Sequence, residues 1–562
     1  MVLHQYDYLF AFGLILAFLD AWNIGANDVA NSFATSVSSR SLTLWQAMCI
    51  ATVMEFLGAV LVGARVAETI KGKIVNVSVY ENDPAVLMLA MVCALVGSAT
   101  WLTFATRMGM PVSTTHSIVG AIIGSTIAAA GASEIEWGWA NAKGVSAIIS
   151  AWFIAPGIAG GFAAVIFLLT KYLVLERKHS VRNGLLMIPV YFAVTSGILT
   201  MVIVWKGAPV LDVDDWTAGQ TAGCIFGVAG GVVLLYFIFL FPYLYRKVKL
   251  EDWTLSQWQV ILGPALWFRG PVPEKPEGVE VVQNYYRGHT TRDNPDGDLT
   301  ADSSRSSAND EETKVPAARA TSGAETVIEE DHGPWYKPKN WWRTLKWLFL
   351  QGVMRDVVAE QSSNKTKFAS FLAPNIGKVH RQVKQYDNKT EHLYSLLQVL
   401  TASTASFAHG SNDVANAIGP LTTIYTVWKT ASIGEKGDVP IWVLVFGGAA
   451  ISIGLWTFGY HMIRQLGNRL TLHSPSRGFS MELGASITVV LASQYAIPVS
   501  TTQCITGATV GVGACSGTLR AINWRMVAWI YMGWFITLPV AGLISGCLMG
   551  IIINAPRWGY SQ

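Results

Sequence analysis

Apolar runs of about 20 residues, separated by short polar connectors, follow one another along most of this chain. A helix of that length spans the hydrocarbon of a bilayer. The pattern predicts spans near residues 8–27, 44–64, 85–105, 111–130, 145–170, 184–205 and 218–245, then 393–412, 440–463, 479–497, 498–516 and 524–553. The expected fold is therefore an all-α polytopic membrane protein of about 12 spans, with a first membrane half at 1–245, a loop at 246–392 and a second membrane half at 393–562. Within the loop, residues 288–334 are rich in Ser, Asp, Glu, Thr, Gly and Pro and poor in apolar residues, a composition that cannot support a packed core and predicts disorder. Beyond it, Trp341-Trp342-Arg343-Thr344-Leu345-Lys346-Trp347 mixes aromatic and basic residues at helical spacing. This predicts a helix near 340–358, lying either in the membrane interface or against the bundle.

Charge orients the spans, because short loops rich in Lys and Arg stay on the cytoplasmic side. Lys171, Arg177, Lys178 and Arg182 make one such loop, and Arg246, Lys247 and Lys249 open another. Between them lies an acidic connector with Asp212, Asp214 and Asp215. Counting outward from these places both termini and the 65–84 loop, with its sequon Asn76-Val77-Ser78, outside, and the large loop inside. Arg464, Arg469 and Arg477 fall inside too, as do Arg520 and Arg525.

Two motifs then occur twice. Gly25-Ala26-Asn27-Asp28-Val29-Ala30-Asn31 returns as Gly410-Ser411-Asn412-Asp413-Val414-Ala415-Asn416, and Pro111-Val112-Ser113-Thr114-Thr115 returns as Pro498-Val499-Ser500-Thr501-Thr502. The offsets, 410 − 25 = 385 and 498 − 111 = 387, nearly agree. Two unlike motifs repeated in one order at one spacing indicate an internal duplication. The first copy begins on span one and the second on span eight, an odd number of crossings apart, so the repeats are expected to be inverted. Inverted repeats with interrupted helices point to a binding site near the bilayer midplane. Breaks are expected where Asn-Asp-x-x-Asn ends spans one and eight, and where Pro and three hydroxyl residues open spans four and eleven.

The residue types at these places suggest ions. A helix opened by proline presents unpaired backbone N–H groups, and neighbouring hydroxyls add donors, which together suit an anion. Ser113, Thr114, Thr115, Ser500, Thr501, Thr502 and the following Gln503 are the candidate anion ligands; hydroxyls bonding back to their own helix are the alternative. Asp28 and Asp413 demand another explanation, since a bare carboxylate in hydrocarbon costs at least about 2.5–3.5 kcal/mol and would repel an anion. Cations held by Asp28, Asp413 and the amide oxygens of Asn27, Asn31, Asn412 and Asn416 remove the conflict. An oxygen-only set fits sodium; protonation of the carboxylates is the other possibility. Glu55 and Glu482 also fall within apolar runs beside small residues and are weaker candidates for a coupling role.

Composition narrows the classes. Of 562 residues 51% are hydrophobic and 14% charged, which excludes an ordinary soluble domain. A net charge of +3 gives no reason to expect a nucleic-acid partner. Cys49, Cys93, Cys224, Cys504, Cys515 and Cys547 all lie in apolar segments without ligand spacing, so neither disulfides nor a metal cluster is expected. Neither an enzymatic nucleophile nor a cofactor motif stands out. A transporter is expected and an enzyme is not, with sodium the only metal.

At the doubled G-x-N-D-V-x-N and P-V-S-T-T the sequence resembles the inorganic phosphate transporter family, PiT, and is most similar to its fungal sodium-coupled symporters. The resemblance extends to Leu19-Asp20-Ala21-Trp22-Asn23-Ile24 and to Asp83-Pro84-Ala85-Val86-Leu87-Met88-Leu89. It implies a twelve-helix inverted-repeat symporter, commonly a homodimer, that carries phosphate with sodium across the plasma membrane. The family's acidic pair matches Asp28 and Asp413, its phosphate-binding hydroxyls match the two Ser-Thr-Thr triplets, and its intramembrane glutamates match Glu55 and Glu482. Proton coupling, another oxyanion such as sulfate, and an added receptor role remain open as alternatives.

Overall fold

The computed structural model describes residues 2–73, 77–139, 144–205, 215–287, 337–350, 356–362, 371–374, 376–433, 439–494 and 499–555, together with Val213 and Val353. The expected disordered segment 288–334 and the sequon residue Asn76 lie outside these. The described residues form helices and no β-strand. Among them, in chain order, are α1 (Asp7–Ile24), α2 (Ala30–Ser38), α3 (Leu44–Lys73), α4 (Pro84–Arg107), α5 (Thr114–Ala130), α6 (Val145–Thr170), α7 (Ser180–Val204) and α8 (Ala218–Leu235). After the loop come α9 (Pro338–Leu350), α10 (Val357–Ser362), α11 (Ile376–Arg381), α12 (Asn388–Thr430), α13 (Ile441–Gly454), α14 (Pro475–Gln494), α15 (Thr501–Cys515) and α16 (Trp524–Asn554).

Eight described helices are long and apolar enough to cross a membrane. Of the other expected spans, Thr114–Ala130 is apolar but shorter. The remainder fall on α12, α14 and α15, which bury polar residues such as Gln398, Asp413, Glu482 and Thr502. Polar side chains lower their hydropathy because the protein, and not lipid, surrounds them. The opposite holds for α8, which exposes Phe226, Val228, Leu234 and Leu235 as a lipid-facing helix would.

Both copies of Asn-Asp-x-x-Asn correct the sequence reading. Neither ends a helix. In the first copy, Gly25–Val29 form a single π turn that joins α1 to α2 without a break; in the second, the motif lies inside the 43-residue α12. An unbroken ladder keeps the backbone satisfied where no water can help, and a π turn makes room for one extra residue, as is common at functional sites. The second motif does mark helix starts, but Pro111 does not occupy the first turn. Ser113 and Ser500 are the N-caps of α5 and α15, and Pro498 lies outside the described residues.

At 43 residues, α12 is about 64 Å long, and it runs through both large apolar cores. Leu393, Tyr394, Leu397 and Phe407 belong to the core shared with α6, α7, α14 and α15. Val414, Ala417, Leu421 and Ile424 belong to the core shared with α1, α3, α4, α5 and α13. Glycines set the closest crossings. A Cβ on Gly410 would collide with the Glu55 carbonyl oxygen and one on Gly58 with that of Phe407, locking α3 to α12. Gly25 against Ile451 and Gly454 against Trp22 repeat this contact between the first helix and α13. Likewise Gly120 and Gly124 pack on Leu538 and Gly542 of α16, while Gly507 and Gly511 pack on Pro156 and Gly160 of α6. Such small-residue seams hold helices together where lipid supplies no hydrophobic drive.

The described part of the loop is tied to the bundle. Glu391, at the start of α12, accepts hydrogen bonds from Tyr286 Oη (2.9 Å), Ser476 N (2.8 Å) and Ser476 Oγ (2.9 Å). Helix α9 exposes Trp341, Trp342, Leu345 and Trp347.

Candidate functional site

The first helix and α12 bring the two Asn-Asp motifs against the starts of α5 and α15. Ser113 Oγ caps α5 by accepting from His116 N, and Ser500 Oγ caps α15 by accepting from Gln503 N, both at 3.3 Å. This leaves Thr114 and Thr501 as the first helical residues. Thr114 Oγ1 donates to Asp28 Oδ2 at 2.7 Å, and Thr501 Oγ1 donates to Asp413 Oδ2. Each half therefore joins its own aspartate to its own helix start.

Other bonds cross between the halves. Asn31 Nδ2 donates to Thr502 Oγ1 at 3.3 Å, and Asn416 Nδ2 donates to Thr115 Oγ1 at 3.1 Å. By the offsets 416 − 31 = 385 and 502 − 115 = 387 these are the same bond made twice with the partners exchanged, as at any two-fold interface. Two further crossings, Thr502 Oγ1 to Asp28 Oδ1 at 3.0 Å and Asn416 Nδ2 to Thr114 Oγ1 at 3.1 Å, draw these residues into an open ring, which Asp413 joins by a carboxylate oxygen within 4.8 Å of Asp28. Asp28, Asn31, Asn416, Asp413, Thr115 and Thr502 are all buried.

The ring has more acceptors than donors. Asn31 Oδ1 and Asn416 Oδ1, at equivalent positions, are buried without a hydrogen-bond partner among the described residues, beside two carboxylates. Buried polar atoms left unpaired call for an explanation, and a set of inward oxygens is what a hard monovalent cation requires. Asn27 differs from this pattern. It donates to Thr106 Oγ1 (3.0 Å) and Met110 O (3.1 Å) and accepts from Val112 N (3.2 Å), so it braces the α4–α5 turn against the π turn. Asn412 donates to Asp413 Oδ1 (2.8 Å) and Val499 O (3.1 Å) and braces the other turn. Gln503 Nε2 is buried without a partner among the described residues, and no hydrogen bond among them ties it to the ring.

His409 was not singled out from the sequence. Its Nε2 stands 2.9 Å from Asp413 Oδ2 and its Nδ1 stands 2.8 Å from Glu55 Oε2, so it bridges the site to Glu55. Asp28, His409 and Asp413 each place one ligand atom within 4.8 Å of the others, yet both ring nitrogens of His409 already face carboxylates. A signal was present, because His409 precedes Asp413 by one helical turn. The duplication hid it: 409 − 385 = 24, and position 24 is Ile24. Glu55 also accepts from Ser406 Oγ at 2.8 Å. Glu482 lies apart from the ring, accepting from Thr35 Oγ1 (2.7 Å), Ser36 Oγ, Gln398 Nε2 (2.9 Å) and Thr401 Oγ1 (2.6 Å). It clamps α2 to α12. A narrow crevice lined by Asn31, Thr35, Pro111, Gly467, His473 and Thr509 reaches the ring beside Asn31.

Residues 24–545 match the description of the "Phosphate transporter family". The chain is 51% identical to the phosphate-repressible phosphate permease pho-4 of Neurospora crassa over 100% of both chains. It is 31% identical to the human sodium-dependent phosphate transporter 2, over 98% of this chain and 99% of the relative. A solved structure described as "The sodium-dependent phosphate transporter" superposes with a TM-score of 0.61 at 25% identity, covering 98% of this chain and 100% of that one.

Proposed function

This chain belongs to the phosphate transporter family, and from that premise we propose that it is a sodium-coupled symporter of inorganic phosphate working by alternating access. The observation that carries the reading is that the hydroxyls suited to phosphate, Thr114, Thr501 and Thr502, donate to Asp28 and Asp413. Anion donors and cation ligands thus form one site. While an aspartate holds these donors, a phosphate oxygen competes with a carboxylate for them and meets its charge as well. Sodium on Asp28 and Asp413, helped by Asn31 Oδ1 and Asn416 Oδ1, cancels that charge and draws the carboxylates away. The freed hydroxyls then face phosphate together with the N-terminal dipoles of α5 and α15. Neither ion binds well alone, which couples their movement. Each net positive charge carried inward gains about 2.3 kcal/mol per 100 mV, so sodium in excess over phosphate charge makes uptake electrogenic.

The full chain in liposomes tests this reading. Labelled phosphate is expected to accumulate only with an inward sodium gradient and to be displaced by unlabelled phosphate. Uptake driven by a pH gradient without sodium would replace sodium by protons, and equal displacement by sulfate would remove phosphate selectivity.

The reciprocal ring and the repeated glycine crossings support an arrangement of two inverted repeats in about 12 spans. The basic connectors support a cytoplasmic loop 246–392 with both termini outside, in the plasma membrane, and the exposed tryptophans of α9 support an interfacial helix. The family resemblance supports a homodimer. A cysteine replacing Asn76 is expected to react with an impermeant reagent added outside; labelling only from inside would overturn the inversion.

A further inference from the structure

Asp20 is a second buried acid of the first helix, and the ring makes no use of it. It lies eight residues, about 12 Å along the axis, before Asp28, with no solvent exposure. Ser98 Oγ of α4 donates to its Oδ1 at 2.7 Å. Its Oδ2 has no hydrogen-bond partner, and no ion pair among the described residues includes Asp20. One turn further on is Asn23, also fully buried. Its Nδ2 donates to Leu19 O (2.9 Å), Ala99 O (3.5 Å) and Thr103 Oγ1 (3.0 Å). These bonds fix which way the amide faces, and its Oδ1 too is left without a partner.

Residues three apart share a helix face, so Asp20 and Asn23 both meet α4, where Ser98 and Thr103 lie. An ionised carboxylate with a single hydrogen bond is not stable in such surroundings without an opposite charge. A proton would supply one donor for two unpartnered acceptors, whereas a hard cation serves both together with the two hydroxyl oxygens. The positions equivalent to Asp20 and Asn23 in the second half, by the offset of 385, are Ala405 and Ala408. This acid therefore has no twin and stands outside the two-fold ring.

We propose that Asp20, Asn23, Ser98 and Thr103 form a separate sodium site between the first helix and α4, in addition to the ions held by the doubled motifs. The inference rests on the sodium-coupled reading above. On the outward side of Asp28 by the charge-derived topology, the site would be among the first met by an entering ion.

The test counts radiolabelled sodium bound per chain at equilibrium for the purified full-length protein, beside phosphate uptake in liposomes from the same preparation. Asp20→Asn is expected to bind one sodium fewer than wild type, and Asp20→Asn combined with Asp28→Asn at least two fewer. The sodium dependence of uptake should lose cooperativity in step. Ser98→Ala, which keeps the carboxylate, should weaken this site by roughly tenfold and decides the matter should Asp20→Asn fail to fold. An unchanged sodium count in Asp20→Asn, an unchanged sodium affinity in Ser98→Ala, or a changed pH dependence of uptake with the sodium count intact overturns the proposal. Wild-type protein that shows no sodium-driven uptake overturns the functional reading instead.

Discussion

Asp28→Asn and Asp413→Asn are each expected to abolish sodium-driven phosphate uptake while leaving the protein folded and in the membrane. Asparagine keeps the shape and one oxygen, so Thr501 can still donate at position 413 and one of Thr114 and Thr502 at position 28, and the ring loses its charge but few contacts. The charge is what sodium needs. Without it the amide leaves the phosphate donors unguarded, and phosphate no longer depends on an ion to displace a carboxylate. Thr114→Ala and Thr501→Ala should behave differently. Each removes a hydroxyl worth roughly 1.5–3 kcal/mol to a charged ligand, which corresponds to about a tenfold to hundredfold loss of phosphate affinity, with sodium dependence retained. Sodium and phosphate titrations of uptake for each variant, set against its surface expression, make the comparison. Normal sodium dependence in both aspartate variants would separate the cations from the Asn-Asp motifs and end the coupling argument.

The ring was legible in the sequence because duplication wrote it twice. Asp28 with Asp413, Asn31 with Asn416 and Thr115 with Thr502 stand at matched offsets; hydrogen bonds join Asn31 to Thr502, Thr502 to Asp28 and Asn416 to Thr115, and Asp413 lies within 4.8 Å of Asp28. What duplication did not repeat was harder to see. His409 and Asp20 have Ile24 and Ala405 at their equivalent positions, so an argument from repeats passes over both. The roles within each motif were equally hidden, since letters do not say which of two asparagines braces a turn and which faces the site. Asn27 and Asn412 hold turns because they lie beside the chain breaks before α5 and α15. The expected helix breaks at Asn-Asp-x-x-Asn failed for a local reason. Nothing in Val29-Ala30-Asn31-Ser32-Phe33 or Val414-Ala415-Asn416-Ala417-Ile418 stops a helix, and hydrogen bonds within the helix are the only backbone partners available at that depth. A π turn leaves no mark in composition.

Gly25→Val and Gly410→Val are expected to cost the fold itself. Each glycine sits where one helix crosses another with no space for a side chain, and the atom in the way is a main-chain carbonyl oxygen, that of Ile451 for Gly25 and that of Glu55 for Gly410. A flexible side chain could turn aside, but a carbonyl moves only with its helix. Overpacking a core that can adjust costs about 1–3 kcal/mol; here α13 or α3 must shift as a whole, so the loss should exceed that range. The same displacement would pull apart the ring, since Asp28 and Asp413 each lie three residues beyond the glycine in question. Gly157→Val is the control. It lies on α6 with nothing within 4 Å of its Cβ position, so it should change neither yield nor stability beyond about 0.5 kcal/mol. Thermal unfolding of the three purified variants, followed by the fraction that stays monodisperse, reads the difference. Gly25→Val and Gly410→Val as stable as Gly157→Val would show that the helices do not cross at these glycines, and the paired crossings that align the two halves of the site would be lost with them.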